Sequence, residues 1–278
     1  MKKILALLLS LLMLLSLAAC GEKKDETPET PTVKMGLLLV EGRAAEYNTH
    51  APVVHGNGMA GIEHVYFDNL SAALLELKSG KIARMASEQS MVKYVIARNP
   101  ELMAFGLDGE RIIETSFSMM TMDTSKEVYD ILNNAIKEIK ADGTLDSLIE
   151  NELTAYIETD PEPKDLPKFE GAQTIKIGIT GDVPPMDFVT ASGKAAGFNV
   201  ALLTEIANRA KVNFELVQIE TGARAIALSS GKVDAVFWTK GFSCTACDET
   251  WVEEIQGTLS TESYFTDSSA FIMLKPEE

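Results

Sequence analysis

Alternating and helical hydrophobic patterns in the last third of the chain predict a βαβαβ unit. Residues 175–179 and 214–217 alternate like strands, and apolar residues recur at helical spacing after Gly197. A short helix over 223–229 leads through a glycine turn into a third strand that ends at Phe237. Parallel strands need helical crossovers, and ligands bind beyond the carboxyl ends of such strands.

Residues 33–157 show a second set of alternating strands and helices. The turn over 79–83, with its Ser-Gly-Lys sequence, repeats the turn over 230–234, and each follows an apolar helix. This repetition predicts two related lobes. The pattern predicts strands over 33–40, 64–68 and 115–122, and helices over 69–78, 90–99 and 124–140, with Asp68 or Asn69 capping the first helix and Asp123 or Thr124 the last.

The first 32 residues predict export and a membrane tether. Lys2 and Lys3 precede an apolar run over 4–17 and then Ala18-Ala19-Cys20, which is typical of a secretory leader and too short for a membrane span. The end of the run also resembles a lipoprotein lipobox, which implies cleavage before Cys20 and lipid on its sulfur. An ordinary signal peptide is the alternative. Residues 22–32 lack aliphatic side chains and predict a disordered tether.

Charge narrows the range of partners. The chain carries 25 Lys and Arg against 41 Asp and Glu, a formal charge of −16. This balance argues against nucleic acid and against a basic patch on a membrane surface. After the leader, no apolar stretch is long enough to cross a bilayer, so we expect no permease within the chain.

Three motifs, over 184–188, 197–202 and 227–235, resemble lobe 1 of the extracytoplasmic amino-acid-type (family 3) solute-binding proteins that serve ABC importers. The resemblance implies an α/β fold of the periplasmic-binding-protein-like type II, a two-lobe Venus flytrap. Residues 33–157 resemble the later half of the same family. The lobes therefore stand in permuted order, as in a circular permutation. Two truncated tandem domains are the rival interpretation.

The expected organisation follows from this resemblance. A second strand over 264–274 would cross between the lobes near the end of the chain. The expected parts are a lipoprotein signal peptide over 1–19, a tether over 20–32, a lobe 2-like α/β part over 33–114, an interlobe strand with C-terminal-type helices packing on lobe 1 over 115–157, a proline-rich linker over 158–172 and a lobe 1-like α/β part over 173–278.

The resemblance implies that five residues of lobe 1 contact the solute. Phe188 and Trp238 would stack on it or form an aromatic wall, which suits a planar or cationic group. The alternative for both is packing at the rim of the lobe. The five residues are Asp187, Phe188, Asn199, Trp238 and Thr239.

Three further candidates mark departures from the family pattern. Arg43 occupies the position of a hydroxyl-bearing turn that holds a carboxylate in many relatives. No arginine lies between Lys240 and Tyr264, where relatives carry the arginine that clamps an α-carboxylate, and Arg224 is the candidate replacement. For both arginines, an exposed surface role is the alternative. Glu88 matches the acidic residue that receives an α-amino group.

Cysteines and histidines suggest no cofactor. Cys244 and Cys247 form a C-x₂-C pair for which a disulfide is expected outside the cell, with two free thiols as the alternative. Three histidines, at 50, 55 and 64, do not have the spacing of a known metal site. We therefore expect neither a metal nor another cofactor.

These patterns favour a monomeric, lipid-anchored extracytoplasmic receptor that delivers a small polar solute to an ABC permease. Two alternatives remain open. One is a dehydratase-like enzyme that uses Glu88 or Asp187 as acid or base, although no nucleophile pair, phosphate loop or cofactor fingerprint accompanies them. The other is a sensor that presents its loaded form to a membrane receptor.

Overall fold

The computed structural model describes residues 33–38, 62–107, 113–157, 159, 162–244, 249–252 and 255–276. Side chains are described for these residues except 238–240, 244, 249, 251 and 252, of which the backbone alone is described. The signal peptide, the lipidation residue Cys20, the turn with Arg43 and the residue Cys247 lie outside this part of the chain.

Strands and helices alternate along the described chain. Six α-helices follow the order α1 (Leu70–Lys78), α2 (Gln89–Arg98), α3 (Lys126–Ala141), α4 (Thr144–Leu148), α5 (Phe198–Ala210) and α6 (Arg224–Ser229). Fourteen strands follow the order β1 (Val33–Leu38), β2 (Ile62–Phe67), β3 (Arg84–Glu88), β4 (Leu102–Phe105), β5 (Ile113–Met122), β6 (Thr174–Ile179), β7 (Asp182–Val183), β8 (Asp187–Val189), β9 (Ala195–Ala196), β10 (Asn213–Gln218), β11 (Ala235–Cys244), β12 (Glu249–Val252), β13 (Thr258–Ser260) and β14 (Phe265–Leu274).

Lobe 1 is built on the sheet order β10–β6–β11–β5. The first three strands are parallel, as the βαβαβ pattern predicts, and β5 is antiparallel to β11. The apolar face of α3 packs against the sheet together with α5, because its hydrophobic residues recur every three or four positions. The α3 residues buried in this core are Val128, Leu132, Ala135, Ile136 and Ile139.

Lobe 2 has its own sheet and its own core. Strands β2, β1 and β3 are parallel, and β14 and β4 extend the sheet in the antiparallel sense. The inner faces of α1 and α2 cover it. The buried core comprises Leu70, Ala73, Leu77, Ile82, Met85, Met91, Val92, Val95, Leu102, Ala270 and Ile272.

Two long strands carry the chain from one lobe to the other. Strand β14 pairs with β5 over residues 265–268 and then with β3 over residues 269–272. Strand β5 continues from lobe 2 into the lobe 1 sheet beside β11. The predicted interlobe strands at 115–122 and 264–274 are thus present, and the predicted two-lobed α/β class is confirmed.

Three local predictions were wrong or incomplete. Strand β11 does not end at Phe237 but runs to Cys244, because β5 and β12 supply hydrogen-bond partners on both sides of its second half. Asp123 and Thr124 do not cap α3; they lie in a 3₁₀ turn ahead of it. The proline-bearing turn after β6 also contains a small sheet of β7, β8 and β9. Asn69, by contrast, caps α1 as predicted, with its side chain accepting the Ala72 N–H at 2.8 Å.

Within the described ranges, none of the helices combines the length and apolarity that a bilayer crossing requires.

Gly197 fixes the start of α5 against the preceding turn. Its φ of 109° lies in a region that side chains rarely adopt, and a Cβ there would lie 2.5 Å from the Met186 carbonyl oxygen. The N–H groups of Phe198 and Asn199 donate to the carbonyls of Pro185 and Met186, at 3.0 and 2.8 Å. The close approach of this backbone therefore requires glycine.

We expect Gly197→Ala to lower the free energy of unfolding by about 3 kcal/mol, because it combines backbone strain with a clash against rigid backbone atoms. Urea unfolding would measure this loss. Gly193→Ala is the control: it also has a positive φ, 77°, but open space around its Cβ. It should cost only about 1 kcal/mol. Equal losses in the two variants would contradict this explanation.

Candidate functional site

A cleft cavity opens between the two lobes at the carboxyl ends of their parallel strands. It encloses about 700 Å³, including its open mouth. Lobe 1 contributes most of the wall, and lobe 2 contributes Leu38, Glu88 and Met91. Its wall is mostly apolar and carries a few polar groups, as is usual for a small-molecule site. The polar and charged lining residues are Glu88, Thr180, Asp187, Asn199, Thr221 and Arg224.

Asp187 anchors the lobe 1 side of this cavity. Its buried carboxylate accepts hydrogen bonds from the Gly181 N–H at 2.7 Å, the Asn199 side-chain amide at 2.9 Å and the Thr180 hydroxyl at 3.1 Å. Charged acceptors strengthen such bonds, and three donors offset the cost of burying the charge. Asp187 therefore holds the strand end, the turn and the start of α5 in one arrangement.

Asn199 and Tyr264 extend this network across the cavity wall. The Tyr264 hydroxyl donates to the Asn199 side-chain oxygen at 3.2 Å, and its ring packs against Phe198 and Phe237. Burial raises the pKa of Tyr264 well above its usual value, so the hydroxyl stays protonated. With its amide group on Asp187 and its oxygen on Tyr264, Asn199 has a fixed orientation.

Arg224 lines the same cavity but makes hydrogen bonds to the protein backbone. Its Nε donates to the Thr221 carbonyl at 3.1 Å and its Nη1 to the Phe237 carbonyl at 3.0 Å. These two bonds fix the plane of the guanidinium group. A positive charge is thus held in place at the cavity wall.

Glu88 is the charged group that lobe 2 contributes. It ends β3 and precedes α2, and it receives the Ser87 hydroxyl at 3.1 Å and a hydrogen bond from the Thr115 side chain. Burial raises the pKa of Glu88, and the nearby Asp267 carboxylate raises it further. Asp267 itself accepts the Ser90 N–H at 2.9 Å, in the first turn of α2.

Glu88 also lines a second space, here called the lobe 2 cavity. This cavity lies at the carboxyl ends of β1, β2 and β3 and shares Leu38 and Glu88 with the cleft cavity. Its wall carries hydroxyl groups and apolar side chains. The lining residues are Leu37, Leu38, Tyr66, Ala86, Ser87, Glu88, Ile113, Thr115, Phe242 and Ser269.

The structure brings together four of the predicted site residues. Asp187, Asn199 and Arg224 from lobe 1 line the cleft cavity together with Glu88 from lobe 2. Phe188 is among the lining residues of neither cavity and packs 6.4 Å from the Tyr94 ring. Trp238 lies within β11, opposite Ser118, rather than in a loop after it.

The remaining predicted positions lie outside what the structure describes. For Trp238 and Thr239 the side chains are not described, and Arg43, Cys247, His50 and His55 fall outside the described residues. His64 lies on β2, where burial lowers its pKa. Among the described residues, no cluster of three or more His, Cys, Asp or Glu side chains is arranged to hold a metal ion.

Sequence reasoning missed Tyr264 and the apolar wall residues. Tyr264 was expected only as the start of an interlobe strand, yet it is 2% exposed and orients Asn199. The sequence did contain a signal for this role, because a buried tyrosine usually finds a hydrogen-bond partner for its hydroxyl group. Met91, Phe117 and Met186 line the cavity at positions that a hydrophobic pattern assigns simply to the core.

Comparison with known proteins supports the resemblance for one segment of the chain. Residues 175–245 match the model of the bacterial extracellular solute-binding proteins, family 3. The match covers about a quarter of the chain. The matched segment includes Asp187, Asn199 and Arg224 of the cleft cavity.

A curated relative matches over a similar length. A protein from Campylobacter jejuni described as a probable histidine-binding protein is 35% identical over 81 residues, which are 29% of this chain and 31% of that protein. The match thus spans about a third of the relative.

Solved structures give weak overall likenesses. The probable amino-acid ABC transporter extracellular-binding protein ytmK from Bacillus subtilis aligns with 90% of this chain and 86% of its own, at 11% identity and a TM-score of 0.42. A ligand-binding component of an ABC-type import system from Staphylococcus aureus aligns with 88% of this chain and 66% of its own, at 11% identity and a TM-score of 0.43.

The raised pKa of Glu88 predicts a pH-dependent stability. Its ordinary value is 4.5, and the native carboxyl holds its proton to a higher pH than the unfolded one. The contribution of Glu88 to stability is therefore complete below the unfolded pKa and is lost as pH rises through the folded pKa.

We expect Glu88→Gln to raise the free energy of unfolding at pH 7 relative to the parent, and to give no such gain at pH 4. The amide keeps a hydrogen-bonding partner for the Ser87 and Thr115 hydroxyls but carries no charge beside Asp267. Urea unfolding at the two pH values measures the difference. Glu138→Gln, at an exposed position on α3, should show no comparable change between them. A gain from Glu88→Gln at pH 4 and none at pH 7 would contradict the raised pKa.

Proposed function

We propose that this protein captures a small polar solute of the amino-acid type in the cleft between its lobes and delivers it to an ABC permease. The observation that carries the proposal is the cleft cavity, whose wall combines Asn199 and Arg224 from lobe 1 with Glu88 from lobe 2. A site divided between two lobes is completed when they close by hinge motion. The family 3 segment supports this function.

The charges of the cavity suit a solute with both a cationic and a polar or anionic group. The Glu88 carboxylate lines the cavity from lobe 2 and would accept an amino group, and the Arg224 guanidinium is held on the lobe 1 wall. The Campylobacter jejuni relative is described as a probable histidine-binding protein, so histidine belongs among the first solutes to test. Apolar residues such as Met91 and Phe117 would cover the solute's aliphatic or aromatic part.

The candidate contacts differ in kind. Glu88 would bind the solute directly, and Arg224 would contribute its positive charge at the cavity wall. Asp187 has three hydrogen-bond donors of its own and would act by orienting Asn199. These three hydrogen bonds argue against Asp187 as a catalytic acid or base, because such a group must exchange protons with the substrate.

Location outside the cytoplasm, with a lipid on Cys20, is part of the proposal. The leader and the lipobox-like sequence over 17–20 support it, and family 3 is described as extracellular. The tether over 20–32 would leave the lobes free to meet a permease at the membrane surface.

A thermal-shift screen tests the function. The panel comprises histidine, other amino acids, polyamines, dipeptides and carboxylates. A solute present at 100 times its Kd should stabilise the protein by about 2.7 kcal/mol.

Glu88→Gln should weaken a cationic solute more than an anionic one, since only the cation loses an opposite charge. Glu138→Gln is the matched control and should bind like the parent. If no compound in the panel raises the melting temperature, the proposed solute class is wrong. If Glu88→Gln weakens an anion more than a cation, the role of Glu88 is wrong.

We further propose that the two lobes form one circularly permuted body rather than two truncated domains. Strand β14 is antiparallel to β3, with Ile272 opposite Met85, and β1 is parallel to β3, with Met35 opposite Arg84. The last residues of β14 and the first residues of β1 therefore lie beside the same end of β3, on either side of it. They are two strand spacings, or about 10 Å, apart. A short linker can join points this close.

A reordered chain tests the permutation. We expect residues 166–278, a glycine-serine linker and residues 33–157, expressed in that order, to fold with a free energy of unfolding within about 1 kcal/mol of residues 33–278. Either half alone should fail to unfold cooperatively, because β5 and β11 would each lose their partner. Cooperative unfolding of both separate halves would support two independent domains instead.

A further inference from the structure

Arg98 lies in the last turn of α2, on the face of lobe 2 that meets lobe 1. Its guanidinium carbon is 3.6 Å from the centre of the Tyr94 ring, one helical turn earlier. Nη1 also donates to the Tyr94 carbonyl at 3.2 Å. The stacking and the hydrogen bond together hold this long side chain in one orientation.

The same guanidinium reaches across to lobe 1. Nη1 donates to the Ile157 carbonyl at 2.7 Å, and Nη2 lies 3.4 Å from the Tyr156 carbonyl. Both carbonyls belong to the 3₁₀ turn Ala155–Ile157, which follows a π-helical turn, Ile149–Thr154. Leu153 in that turn is buried in the lobe 1 core. A residue of lobe 2 thus satisfies carbonyl groups at a helix end that is fixed to lobe 1.

An aromatic contact crosses the cleft beside Arg98. The Tyr94 ring, 9% exposed, lies 6.4 Å from the ring of Phe188 on β8 of lobe 1. Val183 on neighbouring β7 packs against the cores of both lobes. We name the group of Tyr94, Arg98, Tyr156, Ile157 and Phe188 the interlobe clasp.

The clasp stands apart from the candidate binding site. None of its five residues lines the cleft cavity or the lobe 2 cavity. The bonds of Arg98 to Ile157 and Tyr156 nevertheless require the two lobes to be close together, so they are lost when the hinge opens. Any contribution they make to solute capture acts through the position of the lobes.

We infer that Arg98 is a positioning residue: through the interlobe clasp it holds the two lobes closed over the cleft without touching the solute. The closed form is then populated before any solute arrives. The inference concerns the hinge, and it is tested without solute, so its failure and the failure of the proposed function are separate results.

The test measures the distance between the lobes in the full chain without solute. Spin labels are placed at Leu75→Cys on α1, where the parent side chain is 67% exposed, and at Glu138→Cys on α3, which is also exposed. The three native cysteines are replaced by serine in the reference and in every variant. Double electron–electron resonance then gives the distribution of distances between the two lobes.

We expect the reference to give one short-distance population and Arg98→Ala to move the distribution to longer distances. Loss of one charge-assisted hydrogen bond lowers the ratio of closed to open molecules about tenfold. Arg98→Lys should fall between them, because an ammonium keeps the charge but lacks the planar fork that stacks on Tyr94 while donating to two carbonyls. Lys93→Ala removes a cation from the same helix and should match the reference.

Phe188→Leu tests the clasp from the lobe 1 side and also covers the case in which Arg98→Ala does not fold. It should move the distribution in the same direction as Arg98→Ala. The inference is overturned if the folded Arg98→Ala variant, or Phe188→Leu where Arg98→Ala is unfolded, keeps the reference distribution. It is equally overturned if the reference is already as open as Arg98→Ala, or if Lys93→Ala opens the lobes to the same extent.

Discussion

The pairing of β14 first with β5 and then with β3 is the constraint on which the rest of the structure depends. Along one strand, hydrogen bonds pass from the lobe 1 sheet to the lobe 2 sheet between Ser268 and Ser269. Each lobe has a separate hydrophobic core, so this strand and its neighbour β5 define how the cores are placed. The cleft cavity exists because the two sheets end on the same side of this crossing.

The polar side chains of the two cleft walls are held by different interactions. On lobe 1, Asp187 fixes the turn before α5 and orients Asn199, while backbone carbonyls fix Arg224. On lobe 2, Glu88 sits beside a second carboxylate and keeps its proton more readily than an ordinary glutamate. The fixed side chains of the lobe 1 wall suit a binding site, since rigid groups lose little entropy when a solute binds.

Much of this architecture could be predicted from the sequence because local patterns agreed with the final contacts. The alternation around residues 175–179, the helix after Gly197 and the Asn69 cap all depend on neighbours within a few positions. The error at the end of β11 has a different origin. Its second half contains Gly241 and Ser243 and is a strand because β5 and β12 pair with it. Strand β5 lies more than a hundred residues earlier in the chain, and such a distant partner leaves no local signal.

The candidate site was predictable to a similar degree. Four polar residues that line the cleft cavity were foreseen from motif resemblance. The role of Tyr264 depends on its hydrogen bond to Asn199, which lies 65 residues earlier in the chain. The role of Phe188 depends on its contact with the Tyr94 ring in the other lobe. Neither contact follows from spacing along the chain. Phe188, for which packing at the rim of the lobe was the alternative to solute contact, packs beside Tyr94.

The place of β1 in its sheet has a mechanical consequence. Val33 begins a strand that is flanked by β2 on one side and β3 on the other, and it is parallel to both. A pull on the chain ahead of Val33 is therefore directed along β1 and loads many hydrogen bonds in shear at the same moment. Peeling, in which bonds break one after another, is the weaker geometry. If the protein is anchored at that end, the load enters through an interior strand of the sheet and not through an edge strand.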